Sequence, residues 1–148
     1  MKLSTVQIGR CGELLVQRQL LLSGIDSAQL TTDSGIDLVA YSNRTRKSLT
    51  IQVKSNLEPK PAGGRGQPIL DWWVAEDCPA ELVALTDLSS DQIWLLTMAE
   101  LSEVAQQLSA AGHHVCMYVG YVPRDFAKTR PAIEFEKYLL KNRFEEFF

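Results

Sequence analysis

With 148 residues, 45% of them hydrophobic and 22% charged, the chain has the size of one ordinary domain and enough apolar side chains for a core. A formal net charge of −3 argues against a broadly basic nucleic-acid binder and leaves room only for local basic patches. No run of about 18 apolar residues occurs, and the opening MKLSTVQIGRCGELL lacks a signal peptide's apolar stretch and cleavage site. No membrane span is therefore expected, and a cytoplasmic protein is.

The first element is a helix from about Thr5 to Ser23, where apolar residues from Val6 to Leu22 recur at helical spacing without a proline. Gly24 follows in the position of a C-cap glycine. A short strand is predicted at Ser27 to Thr32, then a turn at Thr32-Asp33-Ser34-Gly35, with Asp33 as a turn former. Ile36 to Ser42 and Leu49 to Lys54 read as two strands, joined by a basic turn containing Arg44, Arg46 and Lys47. The segment PKPAGGRGQP, Pro59 to Pro68, carries Lys60 and Arg65 and reads as a long flap-like loop. Leu70 to Ala75 resumes as a strand, and Glu81 to Thr86 with Gln92 to Thr97 form a hairpin. A second helix is predicted over Met98 to Ala111, a short strand over His114 to Gly120, and a C-terminal helix over Ile133 to Phe148.

Regular βαβ alternation is absent, so an all-parallel sheet is not expected. The order points to one domain spanning residues 1–148, of α/β class, with a mixed, mainly antiparallel central sheet flanked by helices. Cys11, Cys78 and Cys116 are odd in number, far apart and include no CxxC pair, so neither a zinc site nor a disulfide framework is expected. They read as small, mostly buried hydrophobes. Of Trp72 and Trp73, adjacent on a strand, one is expected in the core and the other on the surface. His113-His114 diverge for the same reason and do not read as a metal pair. The terminal RFEEFF hints at oligomer packing.

One feature conflicts with burial. Asp37 interrupts an apolar strand, and the next strand carries Gln52 and Lys54 on one face. If Arg44-Thr45 is a two-residue turn, Asp37 lies opposite Gln52; with a loop two residues longer on the ladder it lies opposite Lys54. Both registers place the three on one face, whereas an odd loop without a bulge would split them. A lone carboxylate in an apolar strand is costly unless satisfied. A carboxylate and an amide oxygen on neighbouring strands are hard donors that suit Mg2+. A lysine two residues on can orient a metal-bound water or meet charge developing on phosphorus. The combination suits phosphodiester hydrolysis.

Gly35-Ile36-Asp37-Leu38-Val39 followed by Ile51-Gln52-Val53-Lys54 resembles the PD-(D/E)XK nuclease superfamily, which includes restriction endonucleases, archaeal Holliday-junction resolvases and some homing endonucleases. Glu13, in Gly9-Arg10-Cys11-Gly12-Glu13, matches the helical glutamate of many such sites. The resemblance covers roughly Ile8 to Ser55. It implies a restriction-endonuclease-like core, with Asp37 the central metal ligand and Gln52 the second, the Val53 carbonyl beside them. Glu13 would be an additional or water-mediated ligand, and Lys54 the catalytic lysine. Ile36 stands where the pattern has proline, and Gln52 where it has an acid, so Mg2+ should bind more weakly than at an all-carboxylate site.

The expected activity is therefore Mg2+-dependent hydrolysis of DNA, with Mn2+ a substitute. Arg44, Arg46, Lys47 and Arg65 would contact the nucleic acid, and a homo-oligomer would span the duplex. Two other readings remain open: a non-catalytic nuclease-fold binding or assembly module, and a phosphodiesterase acting on RNA or small nucleotides.

Overall fold

The computed structural model describes residues 2–32, 34–122 and 130–148; Asp33, the expected turn former, lies outside them. Helix α1, Thr5–Leu22, begins in a capping box: the Gln7 N–H donates to Ser4 Oγ at 3.2 Å and the Ser4 N–H to Gln7 Oε1 at 2.8 Å. Gly24, at φ 79°, lets the chain turn back into β1, Ile25–Gln29, two residues earlier than the composition suggested. Strands β2, Leu38–Ser42, and β3, Lys47–Asn56, follow as a hairpin. Strands β6, Leu82–Asp87, and β7, Gln92–Thr97, form a second, as predicted.

These strands make a five-stranded sheet in the order β1-β2-β3-β6-β7, antiparallel throughout except where β3 runs parallel to β6. The expected α/β fold, a mixed and mostly antiparallel central sheet flanked by helices, is therefore present. Leu15, Val16 and Leu20 of α1 pack on one face, against Ile51, Val53, Leu82 and Ala84.

The other face carries a second sheet that the sequence did not announce. Its order is β4-β5-β9-β8, with β4 Lys60–Pro61, β5 Pro68–Val74, β8 Gln107–Ser109 and β9 Gly112–Tyr118. Leu70, Trp72, Val74 and Met117 bury themselves against Val83, Leu85, Trp94 and Leu96. Strand β6 is thus covered on both sides and buried at every position, which is why ELVALT reads as a continuous apolar run.

Two predicted helices are shorter than expected. Helix α2 spans Met98–Val104, not Met98 to Ala111, because the chain leaves it to pair as β8 with β9. That hairpin turns at Gly112, at φ 104°, where a Cβ would lie 2.2 Å from the Val74 carbonyl oxygen. Tertiary pairing overrides the helical propensity of the Ala-rich stretch. At the C-terminus a 3-10 segment, Ala132–Tyr138, is separated from α3, Leu140–Phe147, by Leu139, which bridges to Trp94 in extended conformation. The terminal aromatics pack inward: Phe148 is buried, and Phe144 and Phe147 rest against the α1-side core. Among the described residues, no helix is long and apolar enough to cross a membrane.

Candidate functional site

The β2–β3 ladder closes with Ser42 opposite Lys47 and runs to Leu38 opposite Ile51, the register that a two-residue turn would give. Four residues fill the turn, which closes through Arg46 at φ 56°, its N–H donating to the Ser42 carbonyl at 2.8 Å. Asp37 lies one residue before the ladder and straddles Gln52. Its N–H donates to the Ile51 carbonyl at 2.9 Å, and its Oδ2 accepts from the Val53 N–H at 2.6 Å.

This bond explains the carboxylate in an apolar strand. Strand β3 continues to Asn56 with β6 on one edge, while β2 has ended on the other. The Val53 N–H at that edge would lose its acceptor, at a cost of about 1–3 kcal/mol, and Asp37 supplies one. The Val53 carbonyl projects from the same edge as its N–H. A carboxylate and a backbone carbonyl therefore lie side by side in a notch at the head of β2. The expected shared face is modified: Gln52 and Lys54 rise beside Val83 and Leu85 on the second-sheet side, while the Asp37 carboxylate stays near the sheet plane.

Glu13 lies on α1, which covers the opposite face of the sheet. Gly12 packs so closely on β3 and β6 that a Cβ there would lie 1.8 Å from Ser55 Oγ and 3.0 Å from Thr86 Oγ1. Both hydroxyls are buried without a hydrogen-bond partner, so the helix is seated over an unsatisfied polar pair. The next residue, Glu13, is then held at the head of the sheet. Its Oε2 accepts from Gln29 Nε2 at 2.7 Å and from Arg10 at 2.8 Å. Gln29 pairs with Leu38, the residue after Asp37.

Gln52 is buried, and its Oε1 accepts from the Cys78 thiol at 3.3 Å. One lone pair of the amide oxygen is therefore engaged. The Asp37 carboxylate and the neighbouring Val53 carbonyl are hard oxygen donors of the kind that hold a cation through one or two carboxylates. Lys54 is half-buried, and among the described residues no hydrogen bond or ion pair engages it. The residues that sequence reasoning missed are Arg10, Gln29, Cys78 and Gly12. Arg10 alone carried a signal, standing one helical turn before Glu13.

The predicted nucleic-acid contacts divide. Arg65 sits in the β4–β5 turn of the second sheet. Arg44, Arg46 and Lys47 lie at the opposite end of the β2–β3 hairpin, with Lys47 about 17 Å from Gln52 along the strand. They stand at the far tip of the hairpin, away from the notch.

A second polar cluster occupies the outer face of β5 and β9. Asp71 Oδ2 meets His114 Nε2 at 2.8 Å, and Trp73 stacks on His114 with centroids 4.2 Å apart. Trp72 is the core partner, its indole N–H donating to the Thr86 carbonyl at 3.3 Å. Cys116, beside them, is buried, and burial with the Asp71 charge pushes its thiol up to about 11. It stays protonated, so the cluster is no thiolate nucleophile. Cys11, expected to be buried, is exposed.

No protein-family model and no curated protein matches the chain. Among solved structures, the chain is similar to a bacterial homing endonuclease, I-Ssp6803I, with a TM-score of 0.57 and 14% identity, over 83% of this chain and 80% of that one. At that identity the likeness is one of fold.

Proposed function

We propose that the chain is a Mg2+-dependent endonuclease of the PD-(D/E)XK type, hydrolysing DNA phosphodiester bonds in the notch at the head of β2. The observation that carries this reading is the 2.6 Å bond from the Val53 N–H to Asp37. It fixes a carboxylate beside a carbonyl at a strand edge, between Glu13 on one face and Lys54 on the other. The fold shared with a homing endonuclease supports DNA as the substrate.

Asp37, the Val53 carbonyl and Glu13 would hold the ion, for which Mn2+ substitutes. When bound, such an ion neutralises phosphate charge and acidifies water. Lys54 orients the attacking water and meets the charge that develops on the phosphate oxygens. Gln52, clamped by Cys78, spaces Asp37 from Lys54 and adds no charge. Arg65 approaches the flanking backbone. One such site cuts one strand, so a duplex break uses two copies of the chain.

Cleavage of plasmid, single-stranded and branched DNA with Mg2+ or Mn2+ tests the reading, wild type beside Asp37→Ala and Lys54→Ala. Metal-dependent cutting is expected, abolished by Asp37→Ala and reduced about 10²- to 10³-fold by Lys54→Ala. Cutting that survives both substitutions refutes the site.

A second reading rests on Gln52, which is buried with its oxygen turned to Cys78. In that reading the fold is a binding or assembly module whose metal site has decayed. The absence of cutting, together with no heat of Mn2+ binding, would establish it over the first.

A further inference from the structure

The ion pair on α1 is more than a brace. Arg10 donates to Glu13 Oε2 at 2.8 Å, with side-chain exposures of 43% and 17%. The same oxygen already accepts from Gln29 Nε2 at 2.7 Å, so Glu13 is oriented without the guanidinium. A single i,i+3 pair along one helix contributes little to stability, about 0.2–0.5 kcal/mol. Arginine carries five N–H donors and here gives one to the carboxylate. The rest of the fork makes no other hydrogen bond among the described residues and is open to solvent one helical turn before Glu13, on a chain whose net charge of −3 makes every cation near a phosphate count.

We infer that Arg10 is a positioning residue that exchanges Glu13 for a DNA backbone phosphate as the site loads. This rests on the nuclease reading above. In the free protein the guanidinium neutralises Glu13. A divalent cation drawn to Glu13 and Asp37 repels it, and a phosphate beside the one being cut accepts it, with the planar bidentate geometry that arginine favours. Arg10 therefore acts on the two ligands with opposite sign: it opposes the cation and recruits the DNA. A residue that only braced α1 would support both or neither.

The test compares wild type, Arg10→Gln and Arg10→Lys. Calorimetry with MnCl2 alone reads cation binding, and anisotropy of a labelled duplex without metal, across a salt series, reads DNA binding. Arg10→Gln is expected to tighten Mn2+ roughly three- to tenfold by removing a like charge. It should weaken DNA binding roughly tenfold at low salt and flatten the log–log salt slope by about 0.9. Arg10→Lys keeps the charge, so its Mn2+ affinity and salt slope stay at wild-type values. Weaker Mn2+ binding in Arg10→Gln, or an unchanged salt slope, overturns the inference while wild-type cleavage leaves the nuclease reading standing. A wild type that neither binds Mn2+ nor cuts DNA overturns that reading and this inference with it.

Discussion

Replacing Gly12 by alanine tests how α1 places Glu13. By propensity alone the change should stabilise a helix interior by about 1 kcal/mol. The geometry opposes it: the new Cβ would lie 1.8 Å from Ser55 Oγ, 2.9 Å from Ser55 Cβ and 3.0 Å from Thr86 Oγ1. The hydroxyl can rotate away, but Ser55 Cβ cannot. Reaching an ordinary carbon–carbon contact of about 3.6 Å requires the helix to lift by roughly 0.7 Å. Overpacking of this kind costs about 1–3 kcal/mol, so after the propensity gain the net loss is up to about 2 kcal/mol, or up to about 6 °C in Tm for a chain of this size. In the nuclease reading, Glu13 is the next residue and moves with the helix, so cleavage should fall about 10- to 100-fold. The double variant Gly12→Ala/Ser55→Gly removes the two shortest contacts and should recover most of the stability lost by Gly12→Ala alone. Thermal melts read by circular dichroism, arranged as a double-mutant cycle, measure that coupling. A Gly12→Ala protein that melts above wild type, or no recovery in the double variant, refutes the seating of α1 described here.

Other expectations concern the scaffold. Burial would raise the Glu100 carboxyl, but hydrogen bonds from Arg143 and Thr97 outweigh it and hold its pKa below the usual 4.5. The folded value being the lower one, this stabilisation is present above about pH 4.5 and disappears as pH falls through the folded value. Urea melts between pH 3 and 5 should show a shallower acid loss in Glu100→Gln than in wild type; parallel curves would refute the assignment. Arg143 is itself buried, joining α3 to Glu100 and the Leu95 carbonyl and pairing with Glu146 within the helix. Truncation by Arg143→Leu should cost about 2–3 kcal/mol and lower Tm by about 6–9 °C. At Gly112, φ 104° and the Val74 carbonyl 2.2 Å from a built Cβ both exclude a side chain. Gly112→Ala should loosen the β8–β9 hairpin, read as faster amide exchange at Gln106 and His114, and unchanged exchange would refute that role.

The parts of the fold legible in the sequence are those where local pattern and tertiary demand agree. Helix α1 carries its own capping box and end signal, and the β6–β7 hairpin carries continuous apolar runs around a polar turn. The Asp37–Lys54 spacing was legible because an acid in an apolar strand needs a reason. The second sheet was not. Strands β8 and β4 are exposed and only three and two residues long, too short to carry an alternating pattern, although each pairs with the strand that follows it in the chain. The edge position of the Asp37 carboxylate was hidden for a related reason. Alternation along a strand assigns faces, but a side chain that replaces a missing ladder partner lies between them.

The composition of the notch also bears on why a neutral amide is tolerated at residue 52. Among the described residues, Asp37 and Glu13 supply negative charge there and Arg10 and Lys54 positive charge. A third carboxylate at residue 52 would be buried beside Cys78 and Pro79 with its oxygen facing a weak thiol donor, and burying an underpaired charge costs several kcal/mol. Glutamine fills the same volume and satisfies the thiol without that cost. In the nuclease reading the consequence is a cation held by two carboxylates and a carbonyl, opposed by two nearby cations. Its hold is weak until phosphate oxygens complete the shell and draw Arg10 away. The Arg10–Glu13 pair thereby links cation and DNA: each ligand relieves the charge that excludes the other, and by linkage the cation strengthens DNA binding by the same factor.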